Sequence, residues 1–192
     1  MATDVGWKAI QWPGLEHVIV SAEATDWHAH GRVIMAEEGL ASVDYEVRCD
    51  AGFRVAALTI SVSESAGGAR LVLAADGDGH WQANDHARPD LDGCVDVDID
   101  CTPVTNTLPI RRLDWSERQA QDLDVVYVSV PDLSVRRVRQ RYTLLAPDAS
   151  EEPGQRVFRY ESGSFRADLR VDGHGLVLDY PGIWERIGDL AR

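Results

Sequence analysis

The chain has 192 residues, enough for one domain with a substantial core and few for two. Against 19 Lys and Arg stand 32 Asp and Glu, a net charge of −13 that repels phosphate backbones and argues against a nucleic-acid partner. Lys8 is the only lysine and cations are few, which leaves little for a polybasic membrane anchor, and no run approaches the roughly 18 apolar residues of a transmembrane segment.

The first stretch, MATDVGWKAIQWPGLEHVIVS, lacks the basic region and long apolar run of a secretory leader. A cytoplasmic, reducing setting is therefore expected. HVIVSAE (17–23) and HGRVIMAE (30–37) read as strands joined through ATDWHA, and VDYEVRC (43–49) and FRVAALTISVS (53–63) follow with the same period of two. ESAGGA (64–69) and ADGDGH (75–80) supply the Gly and Asp that tight turns need.

CVDVDID (94–100) is the strictest alternation in the chain. After it, TNTLPIRRL (105–113) is the best helix candidate. Asn106 or Thr107 offers a side-chain oxygen to the free N–H groups, and Pro109 falls in the first turn, where its missing N–H costs little. Leu108, Ile110 and Leu113 would face inward. SERQAQDLD (116–124) fits either an extension of this helix or a polar turn. Further strands are expected at DVVYVSV (124–130), RVRQRYTLL (137–145), RVFRYE (156–161), FRADLRVD (165–172) and LVLDY (176–180), with APDASEEPGQ (146–155) as a long hairpin loop. The expected fold is mainly β: one domain over residues 1–192, with an antiparallel sheet large enough that it must curl.

On a strand, Asp96, Asp98 and Asp100 share one face and Val95, Val97, Ile99 and Cys101 the other. An EF-hand calcium loop needs Gly and Glu where this chain has Cys101 and Thr107, so a polar strand face is the better reading. Arg137, Arg139 and Arg141 repeat at the same period, which raises the expectation of a cross-strand ladder with the three aspartates. His28 and His30 share a strand face, but no spacing fixes further metal ligands. The cysteines, Cys49, Cys94 and Cys101, are odd in number and lack a C-x-x-C pair, which argues against a disulfide framework or structural zinc. No nucleophile elbow, phosphate loop or dinucleotide fingerprint is present, so neither catalytic residues nor cofactors are assigned. Six tryptophans are many for this length; Trp12, Trp81 and Trp184 lie beside Gly or Pro at the ends of apolar runs, where an amphipathic ring suits a half-wet surface.

Trp12-x-Gly14-x-Glu16-His17, Gly79-x-Trp81, LDGCVDVDIDCTPVTNTLPIRRL (91–113), Asp172-Gly173-x-Gly175-Leu176-Val177 and Tyr180-Pro181-Gly182 together resemble the bacterial putative glycolipid-binding family, over about residues 12–186. The resemblance implies a spiral β-roll, a long antiparallel sheet wrapped round one helix, seen as a dimer and similar in fold to periplasmic lipoprotein carriers. It carries no catalytic or ligand residues over. The helix would plug the roll, with Arg111 and Arg112 near a mouth, facing the aspartates or a headgroup. Arg111, Arg112, Asn106, Trp12, Trp81 and Tyr142 are the expected ligand-contacting residues.

Three functions compete. The first is a non-enzymatic binding protein for a glycolipid or a fatty-acid-like ligand, which requires an apolar cavity beside the helix. The second is a structural or interaction homodimer with a filled core. The third is a sugar hydrolase built on a carboxylate pair.

Overall fold

Val-rich runs of period two pair with their neighbours in the chain, and the resulting strand order dictates the shape. The computed structural model describes residues 2–36, 39–64, 67–116, 119–145 and 154–191. The first half comprises β1 (Ala2–Ala9), β2 (Gly14–Ala22), β3 (Asp26–Met35), β4 (Ala41–Asp50), β5 (Val55–Glu64), β6 (Gly67–Ala75), β7 (Trp81–Ala83) and β8 (His86–Ala87). The second comprises β9 (Asp96–Ile99), the helix α1 (Thr107–Arg112), β10 (Ala120–Val128), β11 (Val135–Leu144), β12 (Arg156–Ser162), β13 (Phe165–Val171), β14 (Val177–Tyr180) and β15 (Trp184–Ala191).

All fifteen strands form one sheet in the order β8-β7-β6-β5-β4-β3-β2-β1-β15-β14-β13-β12-β11-β10-β9. The first and last strands pair at its centre. Its two edges, β8 and β9, are therefore successive in the chain and joined only by residues 88–95. Laid flat, fifteen strands would hold those edges about 67 Å apart. The link reaches about 30 Å at full extension. The sheet must curl, and backbone bonds fasten the link where it does: Gly93 N–H donates to the Gly79 carbonyl at 2.8 Å and Val55 N–H to that of Val95 at 3.3 Å.

Register assigns the inner face. Val5, Val18, Gly31, Tyr45, Ile60 and Leu71 lie side by side across six strands, and Trp7, Glu16, Val33, Val43 and Val62 form the next row. Every one of them is buried. Gly31 is required in its row, because a Cβ there would overlap the Tyr45 ring. Inside the roll, Val104, Leu108 and Ile110 are fully buried and Leu113 packs against the same core. Each such side chain contributes roughly 1.5–3 kcal/mol relative to exposure.

The mainly-β single domain, curled round one short helix among the described residues, is the architecture expected from the sequence. Several details differ. The helical segment is a 3-10 turn, Val104–Asn106, leading into α1, and neither Asn106 nor Thr107 caps it. Thr102 does, accepting the Val104 N–H at 3.1 Å. The stretch from Ala120 is strand rather than helix, because its apolar residues alternate. The β9–β10 pair is parallel, as the long connection through α1 allows. Residues 117–118 and most of the expected 146–155 loop lie outside the described residues.

Candidate functional site

The aspartates of β9 do not form a solvent face. Asp98 stands beside Tyr127 of β10, whose register neighbour on β11 is Arg136. Arg137, Arg139 and Arg141 therefore project from the opposite face. Arg137 pairs with Asp124 at 2.6 Å and Arg141 with Asp122 at 2.7 Å, both on β10. The expected ladder between the two triplets is thus wrong. A strand's alternation tells which residues share a face but not which face turns inward, and here Val97 and Ile99 are buried as well.

Three aspartates have three fates. Asp96 is fully buried and bound by Arg112, with Nε 3.1 Å from Oδ1 and Nη2 on Oδ2. Asp98 accepts from Gln140 Nε2 at 2.6 Å, Tyr160 Oη at 3.3 Å and Thr105 Oγ1 at 3.3 Å. Asp100, at the rim, accepts from Ser129 Oγ at 2.9 Å, the Val130 N–H at 3.0 Å and Tyr127 Oη at 3.4 Å. Burial raises the carboxyl pKa of Asp98 against the pull of its three donors. Burial also pushes Asp100 up to about 6, lowered by Ser129 and Val130 and raised again by the nearby Asp98 charge.

Asp98 and Asp100 open into a cavity of about 320 Å3. Its wall runs across successive inner-face positions: Tyr127 of β10, Arg136 of β11, Tyr160 and Ser162 of β12, Phe165 of β13, Tyr180 of β14 and Trp184 of β15. Thr102 and Asn106, from the turn entering α1, complete it. Phe165, Tyr160 and Tyr180 are mutually packed, with ring centroids 6.0–6.3 Å apart. The cavity is open and its lining mixed, with acceptors, hydroxyls, an amide, the Arg136 guanidinium and aromatic rings, and so is not the apolar cavity expected beside the helix.

Behind Thr102 lies a second polar group. Glu16 is buried on the inner face of β2 and takes hydrogen bonds at Oε1 from Thr102 Oγ1 at 2.6 Å and from Tyr45 Oη. Its Oε2 has no partner among the described residues. Burial lifts the Glu16 pKa to about 8, against both hydrogen bonds, so the carboxyl is largely protonated at neutral pH. Thr102 thus joins the cavity wall, the cap of the helical turn and Glu16.

Of the expected ligand residues, Asn106 lines this cavity. Tyr142 is buried behind it and donates to Asn106 Oδ1 at 2.8 Å, fixing the amide. Trp12 packs edge-on against Trp184 at 5.1 Å and does not itself line the cavity. Arg112 is engaged with Asp96, and Arg111 lies over the Phe53 ring at 5.2 Å, away from the cavity. Trp81 is buried, donates to the Cys94 carbonyl at 2.9 Å and lines a different cavity of about 450 Å3 with His80, Arg88 and Asp92. His28 turns outward to Glu46 at 3.1 Å, and His30 is exposed. Sequence reasoning missed Tyr127, Arg136, Tyr160, Phe165 and Tyr180. The available signal was the face of RRVRQRY (136–142) opposite its arginine triplet, which carries Arg136, Val138, Gln140 and Tyr142.

A family model described as "Putative glycolipid-binding" matches residues 4–186. The chain belongs to that family. A DUF1089 family protein from Pseudomonas aeruginosa is similar in sequence and structure, with 37% identity, coverage of 91% of this chain and 92% of that one, and a TM-score of 0.75. A β-barrel-like protein of the domain of unknown function DUF1849 from Brucella abortus shares the fold, at 11% identity and a TM-score of 0.58 over 98% of this chain and 95% of that one. No curated protein matches. No helix among the described residues is long and apolar enough to cross a membrane.

Proposed function

We propose that this protein binds an amphipathic ligand, such as a glycolipid or a fatty-acid-like molecule, and holds its polar head in the cavity beside Asp98. One observation carries the reading. Carboxylate, amide and hydroxyl groups converge with Phe165, Tyr180 and Trp184 on one open space of about 320 Å3. Hydroxylated heads need acceptors fixed in position and a ring face to lie on, and the Gln140, Tyr160 and Tyr142 contacts supply that fixing. The family description points the same way. In native mass spectrometry, the purified protein should carry an amphiphile, or take up added octyl glucoside, and Tyr180→Ala should lose it. Wild-type protein that stays ligand-free through such a titration contradicts the reading.

A carboxylate pair in one cavity also favours a second reading, sugar hydrolysis. Release of nitrophenol from aryl glycosides, abolished by Asp100→Asn, would establish it; no turnover across a glycoside panel would reject it. A homodimer is proposed on separate grounds. Leu15 and Ile34 are cross-strand neighbours on the outer face, exposed together with Ile19 and Ile187.

A further inference from the structure

Elsewhere on the sheet, carboxylates meet arginines. Asp44, Asp96, Asp122, Asp124 and Asp168 each hold one within ion-pair distance. Asp98 and Asp100 do not. Their hydrogen-bond partners are all neutral: the Gln140 amide, the Tyr160 phenol and the Thr105 hydroxyl for Asp98, and the Ser129 hydroxyl, the Val130 N–H and the Tyr127 phenol for Asp100. Arg136 is the one cation lining the cavity, and its guanidinium lies over the Tyr127 ring at 4.6 Å with no ion pair to either aspartate among the described residues. Two acids therefore share the cavity with one cation, and neither is ion-paired to it.

The aromatic wall adds to this. Ring faces carry negative charge density, and several rings together with carboxylates form the usual environment of an ammonium group. Tyr127, Tyr160, Phe165, Tyr180 and Trp184 all line the space that Asp98 and Asp100 face. Arg136 on Tyr127 is already an example of a cation held on this rim.

We propose that the cavity selects a head carrying a positively charged nitrogen, an ammonium group beside hydroxyls as in an amino sugar or a quaternary ammonium as in an alkanolamine head, with Asp98 and Asp100 as its counter-ions. The inference rests on the cavity being the ligand site. Anionic heads are disfavoured by the two carboxylates, and neutral sugars lose the charge contact. Arg136 tunes the preference, because its removal leaves the acids less opposed.

Matched amphiphiles below their micelle concentrations test this by calorimetry on the full chain at pH 7.5. The four probes are octyl glucoside, its 2-amino-2-deoxy counterpart, octyl glucuronide and octyltrimethylammonium. One or both cationic probes should bind at least tenfold more tightly than octyl glucoside, and octyl glucuronide more weakly still. Tighter binding of the amino sugar identifies a sugar head, and tighter binding of the trimethylammonium probe identifies an alkanolamine head. Asp100→Asn, at the exposed rim, should remove the tenfold preference while leaving the melting temperature nearly unchanged. Arg136→Gln should increase it. Equal binding of neutral and cationic probes overturns the inference while leaving the cavity a ligand site. Failure of all four to bind removes both.

Discussion

Glu16→Gln changes the pH dependence of stability more than stability itself. The folded protein holds the Glu16 proton up to about pH 8, whereas an unburied glutamate releases it near 4.5. Between those values the unfolded chain gives up a proton that the folded chain keeps, so each rising pH unit favours unfolding. The contribution is about 1.4 kcal/mol per unit and saturates at about 5 kcal/mol above pH 8. That is a large share of the roughly 5–15 kcal/mol that holds an ordinary domain together. Glutamine keeps the acceptor that Thr102 and Tyr45 use but has no proton to lose. Its amide inherits the unpartnered position of Oε2, at a cost of about 1–3 kcal/mol that does not vary with pH. Urea unfolding followed by tryptophan fluorescence at pH 5, 6, 7 and 8 measures the difference. The variant should gain on the wild type by about 1 kcal/mol per unit from pH 5 to 8. Parallel stability curves for the two proteins would refute the assignment of Glu16 as a buried neutral acid.

Further outcomes follow from the same contacts. Arg112→Met leaves the buried Asp96 carboxylate unpaired and should cost roughly 3–5 kcal/mol in chemical denaturation. Arg141→Ala breaks an exposed pair with Asp122 and should cost under about 1 kcal/mol in the same assay. Gly31→Ala should lower the melting temperature sharply, because the added methyl group meets the Tyr45 ring; combining it with Tyr45→Phe should not restore stability, since the ring carbons also clash.

Much of the fold was legible because a curled sheet still alternates. β4, β5 and β10–β14 announce themselves by valines, leucines and tyrosines at every second position. β6, β7, β8 and β15 were harder to see. β6 begins with Gly67 and Gly68, β7 and β8 are three and two residues long, and β15 carries Glu185, Arg186 and Gly188. Pairing of β1 with β15 joins the chain ends and leaves no local trace. The candidate site was legible only in part. Asn106 and Tyr142 could be marked because they sit at and opposite the helix entry. The wall from Tyr127 to Trp184 is assembled from six strands by the curl, and no spacing in the sequence encodes that convergence. The aspartates misled for a related reason. Polar alternation ordinarily means a wet face, but β9 is covered on both sides, so its polar face points into the cavity.

With the ligand's polar head in the cavity beside Asp98, the residues that line that cavity are the ones that respond to ligand. Backbone amide NMR shifts of the intact chain, followed during titration with octyl glucoside and its amino counterpart, report that response residue by residue. Saturable shifts are expected at Asp98, Asp100, Asn106, Tyr127, Tyr160 and Trp184, all lost in Asp98→Asn. Shifts confined to the Trp81 and Arg88 cavity, or unchanged by Asp98→Asn, would contradict that placement.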